Sequence, residues 1–384
     1  MGGQVAGRRR PDLPDYRLND ISAHRSAETR VWVTFGDGVY DITDFMVGHP
    51  GGEKITLAAG GSVEPFWDLY AIHRTDYVYE ILETLRIGNI HPDDVSPAAA
   101  VAQSSSDDPY SHEPRRHPAL RVHAPKPFNA ETPAQLLVDQ FITPNDLFYV
   151  RNHLPVPKSA VADTAAAKTK GKSVSRSGAE VEVTGVGLRR PVSLSIADLR
   201  RRFTTHTVTT TMQCAGNRRS NMKADDDRAV RGLPWGVGAV ATARWTGVLL
   251  RDVLQWAGAR EEDVKHVLFQ GHDTDHEGQP YETSIPAATA FDPRRDVLLA
   301  YEMNGQVLPV DHGYPLRVVI PGTVGARQVK WLKRVILSRE ESQSFWQQKD
   351  YKTVSPSTSW ETVDLSQVDN TTIASTGSLA LLSI

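Results

Sequence analysis

The chain has 384 residues, enough for two or three domains that each bury a core of their own. With 40% hydrophobic and 23% charged residues it has the composition of a globular protein, and no apolar run approaches the roughly 20 residues that span a bilayer. The formal net charge is −3 and no basic tract is present, which argues against a nucleic-acid partner.

The first predicted domain covers residues 14–91. Val31–Phe35 and Val39–Ile42 are short β-prone runs, and Gly36-Asp37-Gly38 between them is typical of a hairpin turn. Tyr77–Leu85 places apolar side chains at helical spacing. The sequence therefore predicts a small domain that combines a sheet with helices.

Two histidines of this domain are candidate metal ligands. His49 opens a His-Pro-Gly-Gly turn (49–52), which fixes the direction of the imidazole and lets a flat ring approach the backbone. His73 follows, and two imidazoles that face each other hold iron with no open position, suited to electron transfer. The segments 41–45 and 64–67 also match the cytochrome b5 pattern. This resemblance implies that His49 and His73 ligate the iron of haem b.

The rest of the chain differs in composition along its length. Residues 92–130 are rich in Pro, Ser, Ala and Asp and are predicted to form a flexible linker. Residues 131–362 read as a larger domain of mixed strands and short helices, with a low-complexity surface excursion at 156–180. Residues 363–384 are predicted to be a short tail. The predicted fold class is therefore α+β, with a small and a large domain.

The single cysteine, Cys214, excludes an intramolecular disulfide. It lies in the segment 209–219, four and five residues before Arg218 and Arg219, whose charges would lower the pKa of the thiol and favour the thiolate. Such a thiolate is suited either to nucleophilic attack or to binding a soft metal. His206 is available as a base, but no protease-like signature surrounds the cysteine. As a metal ligand, a single thiolate needs further ligands, such as the dithiolene sulfurs of a pterin.

Five separated segments resemble the sulfite oxidase family, which includes assimilatory nitrate reductase. The resemblance covers roughly residues 125–362, and the segments occur in the family's order: 148–153 (FYVRNH), 213–219 (QCAGNRR), 271–273 (GHD), 311–317 (DHGYPLR) and 325–331 (GARQVKW). It implies a molybdopterin-binding domain behind the haem domain.

The resemblance also implies roles for individual residues. Cys214 would bind molybdenum, and Arg151 and Arg219 would bind the oxygens of an anionic substrate. Tyr351, in the segment 345–352, would hydrogen-bond near the oxo ligand of the molybdenum or the substrate, and Trp235 would either wall the pocket or pack in the core. The residues implied to bind molybdopterin are Phe148, Tyr149, Val150, Arg151, Asn152, His153, Asp273, His312, Arg317, Gln328, Val329 and Lys330.

The order of the domains favours one branch of the family. The haem domain comes first and no flavin module is present, which favours the sulfite-oxidising enzymes over the nitrate-reducing ones. The implied reaction is oxidation of sulfite to sulfate, with cytochrome c as electron acceptor. Residues 16–90 contain 11 acidic and 6 basic side chains, which suits a basic partner.

The sequence leaves two alternatives to this function open. The chain could instead be a nitrate reductase-like molybdenum enzyme, or a truncated form that acts only as a haem electron-transfer or regulatory protein.

The family's C-terminal dimerisation domain has no counterpart in these residues, so dimerisation is not predicted. The resemblance implies the mitochondrial intermembrane space. Residues 1–17 contain no recognisable presequence or secretory signal, which leaves a cytosolic location as the alternative.

Overall fold

The computed structural model describes residues 6–49, 52–69, 73–95, 108–162, 179–223, 232–353, 363–364, 367–368 and 381–383. The chain divides into two compact units, Met1–Ser111 with His117–Ala119 and His112–Arg116 with Leu120–Ile384. Both units combine helices with sheets, which confirms the predicted α+β class. Among the helices of the described ranges, none is long and apolar enough to cross a membrane.

The smaller unit contains a five-stranded sheet in the order β1-β5-β4-β3-β2. The strands are β1 (Asp15–Tyr16), β2 (Arg25–Ser26), β3 (Arg30–Phe35), β4 (Gly38–Asp41) and β5 (Arg86–Ile90). The helices are α1 (Leu18–Ala23), α2 (Glu64–Leu69), α3 (Asp76–Thr84) and α4 (Pro92–Val95). Short 3-10 helices span Met46–Gly48 and Gly52–Ala58. Ile21, Val39 and Ile90 form a buried cluster that joins α1 to the sheet.

The predicted hairpin and helix of this unit are both present. β3 and β4 pair in antiparallel register, with Trp32 opposite Asp41 and Phe35 opposite Gly38. Gly36 in the turn has φ +53°, a left-handed conformation that glycine adopts at little cost. Helix α3 spans Asp76–Thr84, within one residue of the predicted bounds. Local patterning was therefore sufficient to locate these elements.

The larger unit is built mainly from two sheets. Its strands are β6 (Arg121–Pro125), β7 (Phe128–Glu131), β8 (Val150–Arg151), β9 (Glu180–Gly185), β10 (Val192–Ser195), β11 (Thr205–Gln213), β12 (Val240–Leu249), β13 (His266–Thr274), β14 (Pro280–Pro286), β15 (Leu298–Met303), β16 (Gln306–Val307), β17 (Arg317–Val319), β18 (Leu332–Ser338), β19 (Tyr351–Thr353) and β20 (Leu381–Ser383). Its helices are α5 (Ala134–Leu137), α6 (Ile196–Arg202), α7 (Leu250–Trp256) and α8 (Ala287–Phe291).

One sheet has the order β10-β9-β18-β13-β14, and the other has the order β11-β12-β15-β16 with β17 also paired to β15. Smaller sheets join β6, β7 and β8, and β19 with β20. The first sheet and the helices α6, α7 and α8 enclose one large apolar cluster, and Trp235, Trp245 and Trp331 belong to a second one. Helix α6 begins with a capping box, in which Ser195 and Asp198 satisfy each other's backbone N–H groups.

For the C-terminal part of the linker, the structure differs from the prediction. Residues 112–116 and 120–130 belong to the larger unit, where β6 pairs with β7 and β7 with β8. Arg116 there donates two hydrogen bonds of 2.8 Å to the carboxylate of Asp311. Composition missed these contacts because they join positions far apart in the chain. Residues 96–107 of the linker, 163–178 of the surface excursion and most of the predicted tail lie outside the described residues.

Candidate active site and haem site

His49 and His73 lie close together in the smaller unit. Their ring centres are 6.2 Å apart, with 13° between the ring planes. Trp67 lies nearly parallel to His73 at 5.7 Å, and Phe45 meets His49 edge-on at 5.8 Å. The two imidazoles therefore lie close together in an aromatic environment.

The distance between the rings fits a bound iron ion. Metal–imidazole bonds are about 2 Å long, so one ion shared by two rings brings their centres to roughly 6 Å. The Nδ1 of His49 lies 3.4 Å from the carbonyl oxygen of Gly52, which as an acceptor favours the tautomer with a free Nε2. Burial lowers the pKa of His49, so the imidazole is neutral and able to bind metal. Pro50 and Gly51 lie outside the described residues.

The larger unit contains a cavity whose wall includes Cys214. The structure brings a dozen of the predicted site residues to its wall. They are Phe148, Tyr149, Arg151, His153, Cys214, Asp273, His312, Arg317, Gln328, Val329, Lys330 and Tyr351. Residues from distant parts of the sequence thus meet around one thiol.

Cys214 is positioned at the end of the long strand β11. The strand ends at Gln213, and the backbone N–H of Cys214 still donates to the carbonyl of Ala239 at 2.9 Å. Asn217 then closes a turn, because its N–H donates to the carbonyl of Cys214 at 3.0 Å. The thiol therefore lies where a sheet edge meets a tight turn, a position that the backbone holds firmly.

Arg317 and Lys330 are basic side chains of the cavity wall. Burial lowers the pKa of Arg317 to about 10 and that of Lys330 to about 7. The guanidinium of Arg317 donates to the carbonyls of His312 (2.9 Å) and Gln328 (3.0 Å), and Lys330 Nζ donates to the carbonyl of Asp311 (2.9 Å). Buried cations bonded mainly to neutral carbonyls are stabilised by an anionic ligand. This wall therefore fits a phosphate-bearing cofactor.

Asp273 presents an acceptor to the same cavity. Among the described residues its Oδ1 is buried without a hydrogen-bond partner, and burial raises the pKa of its carboxyl to about 7. A buried acceptor without a partner costs stability until a donor reaches it. The N–H groups of a pterin ring are donors of this kind. Asp273 thus adds an acceptor to a wall of basic donors, a combination that fits a molybdopterin.

Four predicted site residues do not line the cavity. Trp235 is only 1% exposed and packs edge-on against His123, which assigns it to the core rather than to the pocket wall. Arg219 is buried and donates to the carbonyl of Leu233 at 2.9 Å. It packs against Gly216, where a Cβ would lie 2.7 Å from the guanidinium.

The other two of these four residues, Val150 and Asn152, lie behind the side chains of the cavity wall. Val150 belongs to a small buried cluster with Leu120 and Ala130. The amide of Asn152 accepts from Lys330 Nζ and donates to Asp311 at 3.3 Å, so it holds the lysine in place. These two residues support the residues of the cavity wall instead of contacting a ligand directly.

Tyr351 is held in the wall by a buried arginine. The segment before it, Trp346–Asp350, is a π-helix, an irregular element frequent at functional sites. Arg327 is fully buried and donates to Gln347 Oε1 (2.6 Å) and to the carbonyl of Tyr351 (3.2 Å). The family-like segment 325–331 therefore also anchors the strand that carries the tyrosine.

The prediction omitted several residues of the cavity wall. Asp311 and Trp331 lie inside the segments that carried the resemblance, so their positions were visible although no role was assigned. Tyr281, in β14, lay in no such segment. Its alternating strand pattern carries no sign of a functional site. The wall also contains Met212, Ala215, Gly325 and Ala326.

The ion pair of Arg116 and Asp311 is expected to make stability depend on pH. Burial would raise the pKa of Asp311, but the hydrogen bonds and charge of Arg116 lower it below its ordinary value. A lowered carboxyl pKa contributes stability above the unfolded value of about 4, and that contribution is lost as pH falls through the folded value. We expect Asp311→Asn to reduce the free energy of unfolding by about 3–5 kcal/mol at neutral pH.

Denaturant unfolding followed by tryptophan fluorescence measures this loss. The difference from wild type should narrow as the pH is lowered from about 5 to about 3. Asp292→Asn, which breaks a surface pair with Arg294, is the matched control and should leave the unfolding curve close to wild type. A deficit of Asp311→Asn that stays constant over this pH range would contradict the assignment.

Two family models match the two units. Residues 17–91 match the cytochrome b5-like heme/steroid binding domain, and residues 170–346 match the oxidoreductase molybdopterin binding domain. Together with the paired histidines and the cavity, they define a molybdopterin oxidoreductase with a haem domain. Haem and molybdenum–molybdopterin are its cofactors, as the sequence predicted.

Curated relatives narrow the class. The chain is 53% identical to the sulfite oxidase of Gallus gallus, over 92% of this chain and 73% of that protein. It is 47% identical to the mitochondrial sulfite oxidase of Drosophila melanogaster, over 94% of this chain and 59% of that protein. A nitrate reductase of Petunia hybrida is 39% identical, over 63% of this chain and 25% of that protein. The chain belongs to the sulfite oxidase family and spans less than two thirds of the fly protein.

Proposed function

We propose that this chain oxidises sulfite to sulfate at a molybdenum–pterin centre bound by Cys214, and passes the electrons singly through the haem to a cytochrome c. One observation carries the proposal. The cavity wall combines the only thiol of the chain with Arg151, Tyr351 and buried cations. A soft metal ligand beside donors for an oxyanion is the chemistry that this reaction needs.

The reaction converts sulfite and water into sulfate, two protons and two electrons. When bound, the molybdenum cofactor supplies oxygen transfer and accepts the electron pair. The residues of the chain bind and orient the anion. Arg151 is enclosed in the wall and donates to Asn129 Oδ1 (3.2 Å) and to the carbonyl of Asn152 (2.7 Å), which fixes its guanidinium without neutralising its charge. It can therefore attract and hold a sulfite oxygen.

The haem domain would divide the electron pair into single electrons. His49 and His73 would hold the haem iron, and a haem held by two imidazoles would supply electron exchange without binding substrate. The surplus of acidic side chains in residues 16–90 favours a basic protein as the next acceptor. Cytochrome c is the partner that we propose, in line with the family.

The proposal is tested with the full chain purified with both cofactors. Adding sulfite should reduce the haem, as seen in its visible absorption bands, and molybdenum should be present by elemental analysis. Subsequent addition of oxidised cytochrome c should reoxidise the haem. A loaded protein whose haem spectrum does not respond to sulfite would overturn the proposal.

The same measurement separates the two alternatives. A nitrate reductase-like enzyme would reoxidise its chemically reduced haem on addition of nitrate, and would do so at least as fast as it turns over sulfite. A protein that acts only as an electron carrier would contain haem and no molybdenum. The fly relative is named a mitochondrial protein, and we propose that this chain is located in the mitochondrial intermembrane space. Cell fractionation with compartment markers tests that location.

A further inference from the structure

His153 and Tyr351 form a direct hydrogen bond in the cavity wall. His153 follows β8 and Tyr351 opens β19, yet the imidazole Nε2 lies 2.5 Å from the phenol oxygen. The ring of Tyr281 stacks on His153 at 4.6 Å with 27° between the planes. Trp346 meets the imidazole edge-on at 6.4 Å. These aromatic neighbours restrict rotation of the imidazole and keep Nε2 directed at the phenol.

At neutral pH the phenol of Tyr351 and the imidazole of His153 each carry one dissociable proton. Burial raises the pKa of Tyr351, so the phenol stays protonated at neutral pH. Burial and the nearby charges of Arg151 and Lys330 lower the pKa of His153 well below its ordinary value, so the imidazole is neutral. A neutral imidazole carries one N–H, and that proton is on either nitrogen.

The charge of the cavity favours one of the two tautomers of His153. If Tyr351 donated to His153, the phenol would turn its lone pairs towards the cavity and repel an anion. If Nε2–H donates to the phenol oxygen, the phenol proton is free to point into the cavity. Arg151 also lines the cavity, and its positive charge acts on the phenol of Tyr351. This charge favours an anionic occupant beside the phenol, so the second arrangement is the stable one with an anion bound.

We propose that His153 is a positioning residue for Tyr351: its Nε2–H donates to the phenol oxygen and thereby directs the Tyr351 hydroxyl at the oxyanion in the cavity. The identity of this oxyanion as sulfite or sulfate rests on the proposed function. The assignment gives His153 a role towards the substrate, in place of the cofactor contact that the sequence implied.

The experiment compares two substitutions of His153 in the full chain loaded with both cofactors. His153→Gln retains an N–H donor near the position of Nε2, whereas His153→Leu removes it. Sulfate binding is measured by calorimetric titration, and the KM for sulfite by haem-linked turnover. Because a hydrogen bond to a charged group contributes roughly 1.5–3 kcal/mol, His153→Leu should raise the sulfate Kd and the KM about tenfold or more. His153→Gln should stay within about threefold of wild type.

A double-variant cycle shows whether the effect passes through Tyr351. We expect His153→Leu to have no further effect on the sulfate Kd when Tyr351 is already phenylalanine. Independent, multiplying effects would overturn the proposal. So would a loss of molybdenum content in His153→Leu with an unchanged sulfate Kd in the loaded fraction, because that result assigns the histidine to the cofactor.

The experiment distinguishes a failure of the proposed function from a failure of the role proposed for His153. If the loaded wild type binds sulfate but is not reduced by sulfite, the proposed reaction fails while the comparison of sulfate Kd values still decides the role of His153. If the loaded wild type does not bind sulfate, the assignment of an oxyanion partner to Tyr351 is overturned.

Discussion

Replacement of Cys214 by serine is expected to abolish reduction of the haem by sulfite, with a loss of more than about 1,000-fold in rate, equivalent to over about 4 kcal/mol. The thiol lines the cavity and is the only cysteine of the chain, so no other side chain can supply a thiolate. A serine hydroxyl is a harder and much less acidic ligand, and it does not replace a thiolate on a soft metal. Stopped-flow absorbance of the haem bands after sulfite is added measures the effect.

Two controls accompany this variant. A chemical reductant such as dithionite should reduce its haem fully, since His49 and His73 lie in the other compact unit. Thr211→Ser, three residues earlier on the same strand, retains the hydroxyl that pairs with Thr242 at 2.8 Å and should behave like wild type. Sulfite-dependent haem reduction that persists in Cys214→Ser would remove the cysteine from the mechanism.

Replacement of His73 by alanine is expected to remove the haem and with it the reduction of cytochrome c. A haem that is held by one imidazole instead of two would be bound weakly, so we expect the haem content to fall below about a tenth of wild type. Turnover of sulfite with ferricyanide, a small one-electron acceptor, should remain within about threefold, because the cavity belongs to the larger unit. Haem absorbance and two parallel turnover assays measure these effects.

A second histidine of the same unit provides the matched control. His91 lies 3.5 Å from the carboxylate of Asp93 at the end of the sheet, and His91→Gln should retain the haem and both activities. If His73→Ala retained a normal b-type spectrum, a residue other than His73 would have to be the ligand. If it lost the ferricyanide activity as well, the two centres would not be separable as proposed.

Several features followed from local sequence alone. The turn glycines between β3 and β4 and the apolar spacing of α3 predicted elements that the structure contains, because turns and helix faces are encoded within a few residues. The pairing of His49 with His73 also followed from motifs in one short domain. Composition was less informative for residues 112–130, whose strands are stabilised by pairing with β8 and by Asp311 rather than by their own pattern.

For the candidate active-site cavity, too, the sequence indicated some features and only the structure showed others. The motif around Cys214 and the segments in family order indicated residues that the structure brings to the wall of one cavity. Only the tertiary structure showed that Arg327 anchors the strand of Tyr351, and that Asn152 supports Lys330 behind the wall. It also placed Trp235 in the core, a choice that the sequence left open.

The sequence by itself predicted a haem domain followed by a molybdopterin domain, because each prediction depends on residues that are close in the chain or fixed in order. The tertiary structure decided which side chains share the cavity and which atom of one bonds to another. The bond between His153 and Tyr351 joins positions 198 residues apart. No local pattern encodes such a contact, since it depends on how the strands of the larger unit pack together.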